Sequence, residues 1–215
     1  MQKLSVLAAS VLLSLSSAPL MADEVTLTTG LANGETLAVG TNGDLTVTAA
    51  WGDGTTETWV TDGSLKLLTV KHATLTLSTQ EPLTNLYVQG NKLTALELKD
   101  APELRQLYAA DNQLATIDVA ANTALEVLDL QDNQLTALTA SKLNSLLEVN
   151  VAGNLIEASQ LKLSSTARVQ QYIVADNQLT ALPSTAAMKQ ARTVWAQHNA
   201  LTTANLSQST DLRSL

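Results

Sequence analysis

The side chains that most often do chemistry are too few in this chain to form a catalytic or metal site. There are two histidines, His72 and His198, and no cysteine. A zinc site needs three or four nitrogen, sulfur or carboxylate ligands close together, and a catalytic serine or threonine needs a general base beside it. The sequence also has no phosphate-binding glycine loop and no nucleophile elbow. We therefore expect a protein that is not an enzyme and holds no cofactor or metal.

Acidic residues nevertheless offer two candidate sites for a hard cation such as calcium. Asp111, Asp132 and Asp176 each stand directly before an asparagine at matching positions of a repeat, so they could form an acidic row. Asp44 and Asp53 lie beside glycines in the N-terminal region. Aspartate next to asparagine or glycine is also typical of plain turns, and both interpretations stay open.

The elements that position these residues recur along the chain. Asparagines follow one another at 21-residue intervals from Asn91 to Asn154, and then after 23 and 22 residues. Aliphatic residues stand at fixed positions around each, in the pattern L-x-x-L-x-L-x-x-N-x-L. One unit offers about six apolar side chains, too few to offset the entropy of ordering ~21 residues, so the units must stack and share a core. These asparagines are Asn91, Asn112, Asn133, Asn154, Asn177 and Asn199.

This pattern resembles the leucine-rich-repeat family over about residues 80–215, and its recurring Asn-Gln-Leu-Thr is similar to the bacterial internalin-type branch. The resemblance implies a β-dominated α/β solenoid, an arc with one short parallel strand per coil on its concave side. It implies that the asparagines form a structural ladder that binds the backbone of adjacent coils. It also implies a role in surface adhesion.

The residues before the array alternate apolar and polar side chains, which predicts half-buried strands. We expect residues 23–61 to form a small antiparallel β cap, in which Trp51-Gly52-Asp53-Gly54 turns a hairpin. Residues 62–82 are interpreted as a degenerate capping repeat in the register of the array, with Val70 in the asparagine position and His72 in a leucine position. Its remaining apolar positions are assigned to Leu65, Leu67, Leu75 and Leu77.

Residues 83–215 are assigned to the repeats proper, and the last repeat is incomplete. Leu212 and Leu215 restart the motif without a polar capping unit. A bare final coil would expose core and strand edge. The sequence thus predicts either a truncated product or an end that a partner covers.

The first 22 residues have the features of a secretory signal peptide. Lys3 precedes an apolar run over residues 4–15, and the small Ala22 marks the predicted cleavage site; a buried N-terminal helix is the alternative. Cleavage would change the formal charge from −8 to −9, which disfavours nucleic acid and anionic lipid as partners. No later segment approaches the ~20 apolar residues of a membrane span. We expect a secreted, cell-surface or periplasmic protein.

The outward side chains beside each strand leucine are the predicted recognition surface. Tyr87, Tyr108 and Trp195 share one column of this surface, and such residues combine large contact area with a polar group. A protein is the favoured partner. The alternatives are a carbohydrate that stacks on these three rings and a structural spacer without a specific ligand. The predicted partner-binding residues are Tyr87, Gln89, Gln106, Tyr108, Asp129, Gln131, Asn150, Trp195 and Gln197.

Overall fold

The computed structural model of the chain describes residues 23–183, 186 and 188–215. The predicted signal peptide, residues 1–22, lies outside the described residues. An antiparallel cap leads into a β-dominated solenoid with parallel strands, and within the described ranges the helical content is one 3-10 turn, Ala158–Gln160. In the same ranges, no helix has the length and hydrophobicity needed to cross a bilayer.

The described residues form fifteen strands. They are β1 (Asp23–Thr29), β2 (Thr36–Thr41), β3 (Thr46–Trp51), β4 (Thr56–Val60), β5 (Lys66–Thr69), β6 (Thr74–Thr79), β7 (Asn85–Tyr87), β8 (Leu93–Asp100), β9 (Gln106–Tyr108), β10 (Val127–Asp129), β11 (Leu138–Ala140), β12 (Glu148–Asn150), β13 (Leu161–Leu163), β14 (Gln171–Ile173) and β15 (Thr193–Trp195).

The cap is built on a five-stranded antiparallel sheet with the order β4-β3-β6-β1-β8. Alternate residues of β1, such as Val25 and Leu27, are buried because successive side chains of a strand point to opposite faces. The predicted hairpin is confirmed, since β3 pairs antiparallel with β4. Its turn uses the left-handed backbone of Gly54 (φ 87°), and the Asp53 carboxylate accepts hydrogen bonds from the N–H and the hydroxyl of Thr55. Asp53 thus stabilises a turn.

Residues 62–82 do not form a coil of the array, so the sequence-based interpretation was wrong for this segment. β5 pairs antiparallel with β2, and β6 lies between β1 and β3 in the cap sheet. Leu75 and Leu77 are buried, but Leu65 and Leu67 are 59% and 66% exposed. The alternation of threonine and leucine in β6 has a period of two, which suits a half-buried strand and also reproduces part of the repeat spacing. The cap therefore extends well past residue 61.

Six three-residue strands form the concave side of the solenoid. β7, β9, β10, β12, β14 and β15 pair in parallel and in chain order. The central residue of each strand is buried, and the outer two side chains face the concave side. The opposite side carries a short parallel pair, β11 with β13. An isolated parallel bridge between Thr193 and Ser214 continues the concave ladder beyond β15.

The interior of the coils is one aliphatic stack. Leu86, Leu107, Leu128 and Val149 follow one another at the centres of successive strands and are at most 1% exposed. Tyr172 takes the same position in β14 with its ring fully buried, and its hydroxyl has no hydrogen-bond partner among the described residues. Burial raises the pKa of Tyr172, because the ionised phenolate would be poorly solvated there.

Candidate binding face

The asparagine ladder holds the concave strands in register. Asn133 Nδ2 donates to the carbonyl oxygen of Ala109 in the preceding coil at 3.0 Å and to that of Leu130 in its own coil at 3.1 Å. Its Oδ1 accepts the backbone N–H of Leu114 at 3.0 Å. One buried amide therefore joins two coils. The corresponding bonds are made by Asn112, Asn154, Asn177 and Asn199.

The first asparagine of the ladder joins the solenoid to the cap. Asn91 Nδ2 donates to the carbonyl oxygen of Ala38 at 2.7 Å, and Asn91 Oδ1 accepts the N–H of the same residue at 2.8 Å. Ala38 lies in β2, and β2 also pairs antiparallel with β7, where Gly40 stands opposite Tyr87. The concave sheet consequently begins in the cap.

The residue before each ladder asparagine has a left-handed backbone, with φ between 51° and 68°. Glycine, aspartate and asparagine tolerate this conformation better than other residues. The aspartates of the predicted acidic row therefore occupy a turn position, which supports the turn interpretation over the cation site. Within the described ranges no three metal-binding side chains are grouped together. The six residues are Gly90, Asp111, Asp132, Gly153, Asp176 and His198.

Tyr87 and Tyr108 stack on each other on the concave face. Their ring centroids are 4.9 Å apart and their planes differ by 6°. Parallel strands lie about 4.7–4.9 Å apart, so the pairing of β7 with β9 produces the stack directly. Asn85 Nδ2 donates to Tyr87 Oη and to Gln106 Oε1, both at 3.3 Å. The ring pair is thus held by the strand pairing and by neighbouring amides.

The concave face continues into the cap through Leu65. A Cβ atom on Gly40 would lie 2.9 Å from Leu65 Cδ2 and 3.1 Å from Tyr87 Cβ, so the bare glycine lets Leu65 pack beside Tyr87. Leu67 pairs with Ala38 on the same side and is exposed. We call Leu65, Leu67, Tyr87 and Tyr108 the aromatic section. Sequence reasoning missed both leucines because it placed them in a buried coil.

An acidic hollow lies next to the aromatic section. Its volume is about 190 Å³, and Tyr108, Asp129, Glu148, Gln171 and Ile173 are among the residues that line it. Glu148 Oε1 accepts a hydrogen bond from Gln171 Nε2 at 2.6 Å. In the described part of the chain, no lysine or arginine forms an ion pair with the carboxylate of Asp129 or of Glu148. The hollow therefore carries negative charge that the described residues do not neutralise.

Burial shapes the acid–base behaviour of this hollow. Partial removal from water raises the pKa of the Asp129 carboxyl, the negative charges of Asp111 and Asp132 act in the same direction, and the N–H of Gln131 opposes them. Burial likewise raises the pKa of Tyr108, with smaller contributions from Tyr87 and Glu148. The Asp129 carboxylate is thus less well solvated than a free one.

The other predicted partner-binding residues are dispersed over the same face. Gln131 Oε1 accepts a hydrogen bond from Asn150 Nδ2 at 3.0 Å, beside the hollow. Gln89 and Gln197 are exposed. Trp195 is 45% exposed, and its Nε1 lies 3.5 Å from Ser214 Oγ. Four strand spacings, or about 19 Å, separate Trp195 from β9, so the three aromatic residues do not form one platform.

The two histidines occupy separate positions. His72 lies in the turn between β5 and β6, where its Nδ1 accepts the N–H of Thr74 at 3.1 Å. It is exposed and does not fill a leucine position of the core, as the sequence had suggested. His198 lies near the end of the array, 2.7 Å from the Asp176 carboxylate. His72 thus makes a contact within its own turn, and His198 makes one with an aspartate of the preceding coil.

The sequence reasoning missed one inward amide that lies outside the asparagine ladder. Asn122 is fully buried, and its Nδ2 donates to the carbonyl oxygens of Leu98 at 2.9 Å and Ala101 at 2.8 Å. Ala101 occupies the same position one 21-residue period earlier. Because the period carries alanine there in one coil and asparagine in the next, the repeat pattern alone did not single out Asn122.

No family model matches the chain, and no curated protein matches it. A solved structure does: the functional domain of InlJ from Listeria monocytogenes superposes with a TM-score of 0.57 at 24% sequence identity. The match covers 66% of this chain and 32% of the InlJ chain, so this chain spans about a third of that one. The InlJ domain includes a cysteine ladder, whereas this chain has no cysteine and carries asparagines in its ladder. The likeness shows an internalin-like leucine-rich-repeat fold.

Proposed function

We propose that the chain is a non-enzymatic binding module of the cell exterior that recognises a protein through its concave face. The observation that carries this proposal is the continuity of the aromatic section with the acidic hollow on one sheet. The six coil strands are separated by five spacings of ~4.8 Å and so span about 24 Å. With the cap strands they approach one side of a standard protein interface. An adhesion role is the specific form of this proposal that the internalin-like fold favours.

A carbohydrate partner is less well supported by the same geometry. A sugar ring stacks on an open aromatic face, and the stacking of Tyr87 on Tyr108 leaves only one face of each ring uncovered. The apolar side chains of Leu65 and Leu67 are exposed, and the Tyr87 hydroxyl contacts the amide groups of Asn85 and Gln106. Such a mixture of apolar contacts and hydrogen-bonding groups suits a protein surface.

Export is part of the proposal and rests on the first 22 residues. β1 begins at Asp23, whose Oδ2 accepts the N–H of Leu83 at 2.8 Å. Cleavage after Ala22 would therefore leave the first strand intact. Expressed in a secreting bacterial host, the protein should appear outside the cytoplasm with a mass that lacks residues 1–22. Retention in the cytoplasm at full mass would contradict the export proposal.

The binding proposal is tested by comparing two double variants of the exported protein. Tyr87→Ala with Tyr108→Ala removes the ring pair. Val60→Ala with Leu155→Ala removes two side chains that are 71% and 48% exposed and lie outside the concave face. Each purified protein is used to capture ligands from extracts of the surfaces of candidate target cells. The extracts are left untreated, treated with protease or treated with glycosidases.

We expect a captured protein that the wild type and the Val60/Leu155 variant retain and the Tyr87/Tyr108 variant loses. Protease treatment should abolish capture, and glycosidase treatment should leave it unchanged. The reverse sensitivity would replace the protein partner with a carbohydrate. Equal retention by all three proteins, with matching circular dichroism, would remove the concave face from the proposal.

A further inference from the structure

We infer that the acidic hollow is a receptor site for one arginine side chain of the protein partner. This inference rests on the proposed function and adds the chemistry that the partner must present. Its basis is the meeting, in one small depression, of a tyrosine ring, several amide groups and two carboxylates that form no ion pair with any described residue.

The charge of the hollow selects a cationic group. Asp129 and Glu148 both line it, and within the described ranges the ion pairs of the chain involve other residues. Asp111 and Asp132 add negative potential at Asp129. A partly buried carboxylate that lacks a counter-charge is unfavourable in the free protein. A cation supplied by a partner would relieve this cost on binding. The hollow should therefore bind a cationic group much more tightly than a neutral group of the same shape.

The acceptor geometry favours arginine over lysine. Glu148 has one oxygen held by Gln171 Nε2, and the Asp129 carboxylate accepts the N–H of Gln131 at 3.2 Å, so both carboxylates are oriented before a ligand arrives. A planar guanidinium donates several hydrogen bonds in a fixed fork and also stacks on aromatic rings. Tyr108 lines the hollow, and Tyr87 stacks on only one face of its ring. Lysine offers a point charge and cannot use this planar surface in the same way.

The size of the hollow fits a single side chain. Its volume of about 190 Å³ is below the roughly 300–1,000 Å³ typical of sites for whole small molecules. It exceeds by several times the ~30 Å³ that one water molecule occupies in the liquid. A calcium ion would need 6–8 oxygen ligands, and the described residues provide no group of three acidic or histidine side chains. One partner side chain is the occupant that matches both volume and charge.

The position of the hollow predicts the neighbouring chemistry of the partner. Tyr108 belongs both to the hollow and to the aromatic section, so an arginine seated at Asp129 places its own neighbours over Tyr87 and Leu65. Those neighbours would bury apolar surface there. The partner motif is therefore an arginine next to apolar residues on an exposed protein segment.

The experiment uses Nα-acetyl-arginine amide as the probe and Nα-acetyl-citrulline amide as its uncharged counterpart. Both are titrated into isotope-labelled protein at neutral pH, and the backbone amide chemical shifts are followed. The test variant is Asp129→Asn with Glu148→Gln. The control variant is Glu103→Gln with Glu157→Gln, which removes the same charge from exposed positions outside the hollow.

We expect the arginine probe to shift amides of β10, β12 and β14 with saturable binding, while the citrulline probe leaves them unchanged. The Asp129/Glu148 variant should bind at least about tenfold more weakly, as expected when charge-assisted hydrogen bonds are lost. The Glu103/Glu157 variant should bind as the wild type does. Equal shifts with both probes, diffuse shifts over the surface, or unchanged affinity in the test variant would each overturn the inference.

The protein-capture experiment separates this inference from the proposed function. If the Asp129/Glu148 variant captures the partner as well as the wild type while the Tyr87/Tyr108 variant does not, the arginine site is wrong and the binding face stands. If neither variant loses the partner, the proposed function fails as well.

Discussion

Gly40 of β2 lies directly opposite Tyr87 of β7, and its missing side chain leaves the space in which Leu65 packs beside Tyr87. This pair is the junction between the cap and the coils on the concave face. Because β2 is antiparallel to β7 while the coil strands are parallel to one another, the junction is also where the sheet changes direction. The aromatic section depends on a glycine at this point.

The first prediction concerns this junction. Gly40→Ala should destabilise the protein by about 1–3 kcal/mol, because overpacking forces Leu65 and Tyr87 apart. The melting temperature and the near-ultraviolet circular dichroism of the tyrosines would both report the change. Gly43→Ala is the matched control, since the atom nearest to its added Cβ is 3.5 Å away. Equal effects of the two substitutions would show that the junction tolerates a side chain.

The second prediction concerns the asparagine ladder. Asn133→Ala should lower the free energy of unfolding by about 1–3 kcal/mol, the cost of a buried polar group left unpaired, because the N–H of Leu114 loses its partner. The carbonyl oxygens of Ala109 and Leu130 lose the bond from Asn133 but keep those from Asn112 and Asn154. Urea denaturation gives the measurement. Gln134→Ala, at the exposed neighbouring position, should change stability by less than about 0.5 kcal/mol. Identical urea denaturation curves for Asn133→Ala and Gln134→Ala would contradict a stabilising role for the ladder.

The third prediction concerns the buried hydroxyl of β14. Tyr172→Phe should raise the stability by about 1–3 kcal/mol, because the folded protein no longer buries a hydroxyl without a partner. Thermal or urea denaturation would measure the gain. Tyr108→Phe serves as the control, because its ring is only half-buried and its hydroxyl can exchange with water. A loss of stability in Tyr172→Phe would mean that the hydroxyl is hydrogen-bonded in solution.

The fourth prediction concerns the pH dependence that Asp129 contributes. Burial raises its folded-state pKa above the unfolded value of about 3.9, so its ionisation weakens the fold as pH rises through the folded pKa. Asp129→Asn should therefore melt at a higher temperature than the wild type at pH 7. Below pH ~3.9 the wild-type carboxyl is protonated in both states, and the advantage should disappear.

Asp53→Asn provides a control of opposite sign for that measurement. Hydrogen bonds from Thr55 lower the pKa of Asp53, so its carboxylate stabilises the fold above its unfolded pKa and stops doing so as pH falls. This variant should melt at a lower temperature than the wild type at pH 7 and approach it in acid. If both variants shift in the same direction at pH 7, the assignment of opposite environments is incorrect.

The fold of the coils could be predicted from sequence because the information is local and repeated. Every coil needs the same aliphatic residues and one inward amide, so the pattern occurs six times in the sequence and can be recognised there. The concave column followed from that register, and it placed Tyr87 directly over Tyr108. The stacking distance of 4.9 Å is then set by the strand spacing and needs no further contact.

The cap could not be predicted to the same extent because its contacts join distant residues. Asp23 pairs with Thr79, and Thr26 pairs with Glu97 of the first repeat. Leucines spaced two apart satisfy either a coil or an antiparallel strand, and only the partner strand decides which ones are buried. The sequence therefore assigned Leu65 to the core, whereas the pairing of β5 with β2 leaves it on the surface.

The sequence by itself determined the repeat, the ladder and the order in which outward side chains follow one another along the concave face. These features depend on a pattern that each coil imposes on its neighbour. Only the tertiary structure decided that the face extends into the cap and that Asp129 and Glu148 share a partly dehydrated hollow beside Tyr108. Burial and the absence of a counter-charge depend on the positions of several strands at once, and no single segment of sequence specifies them.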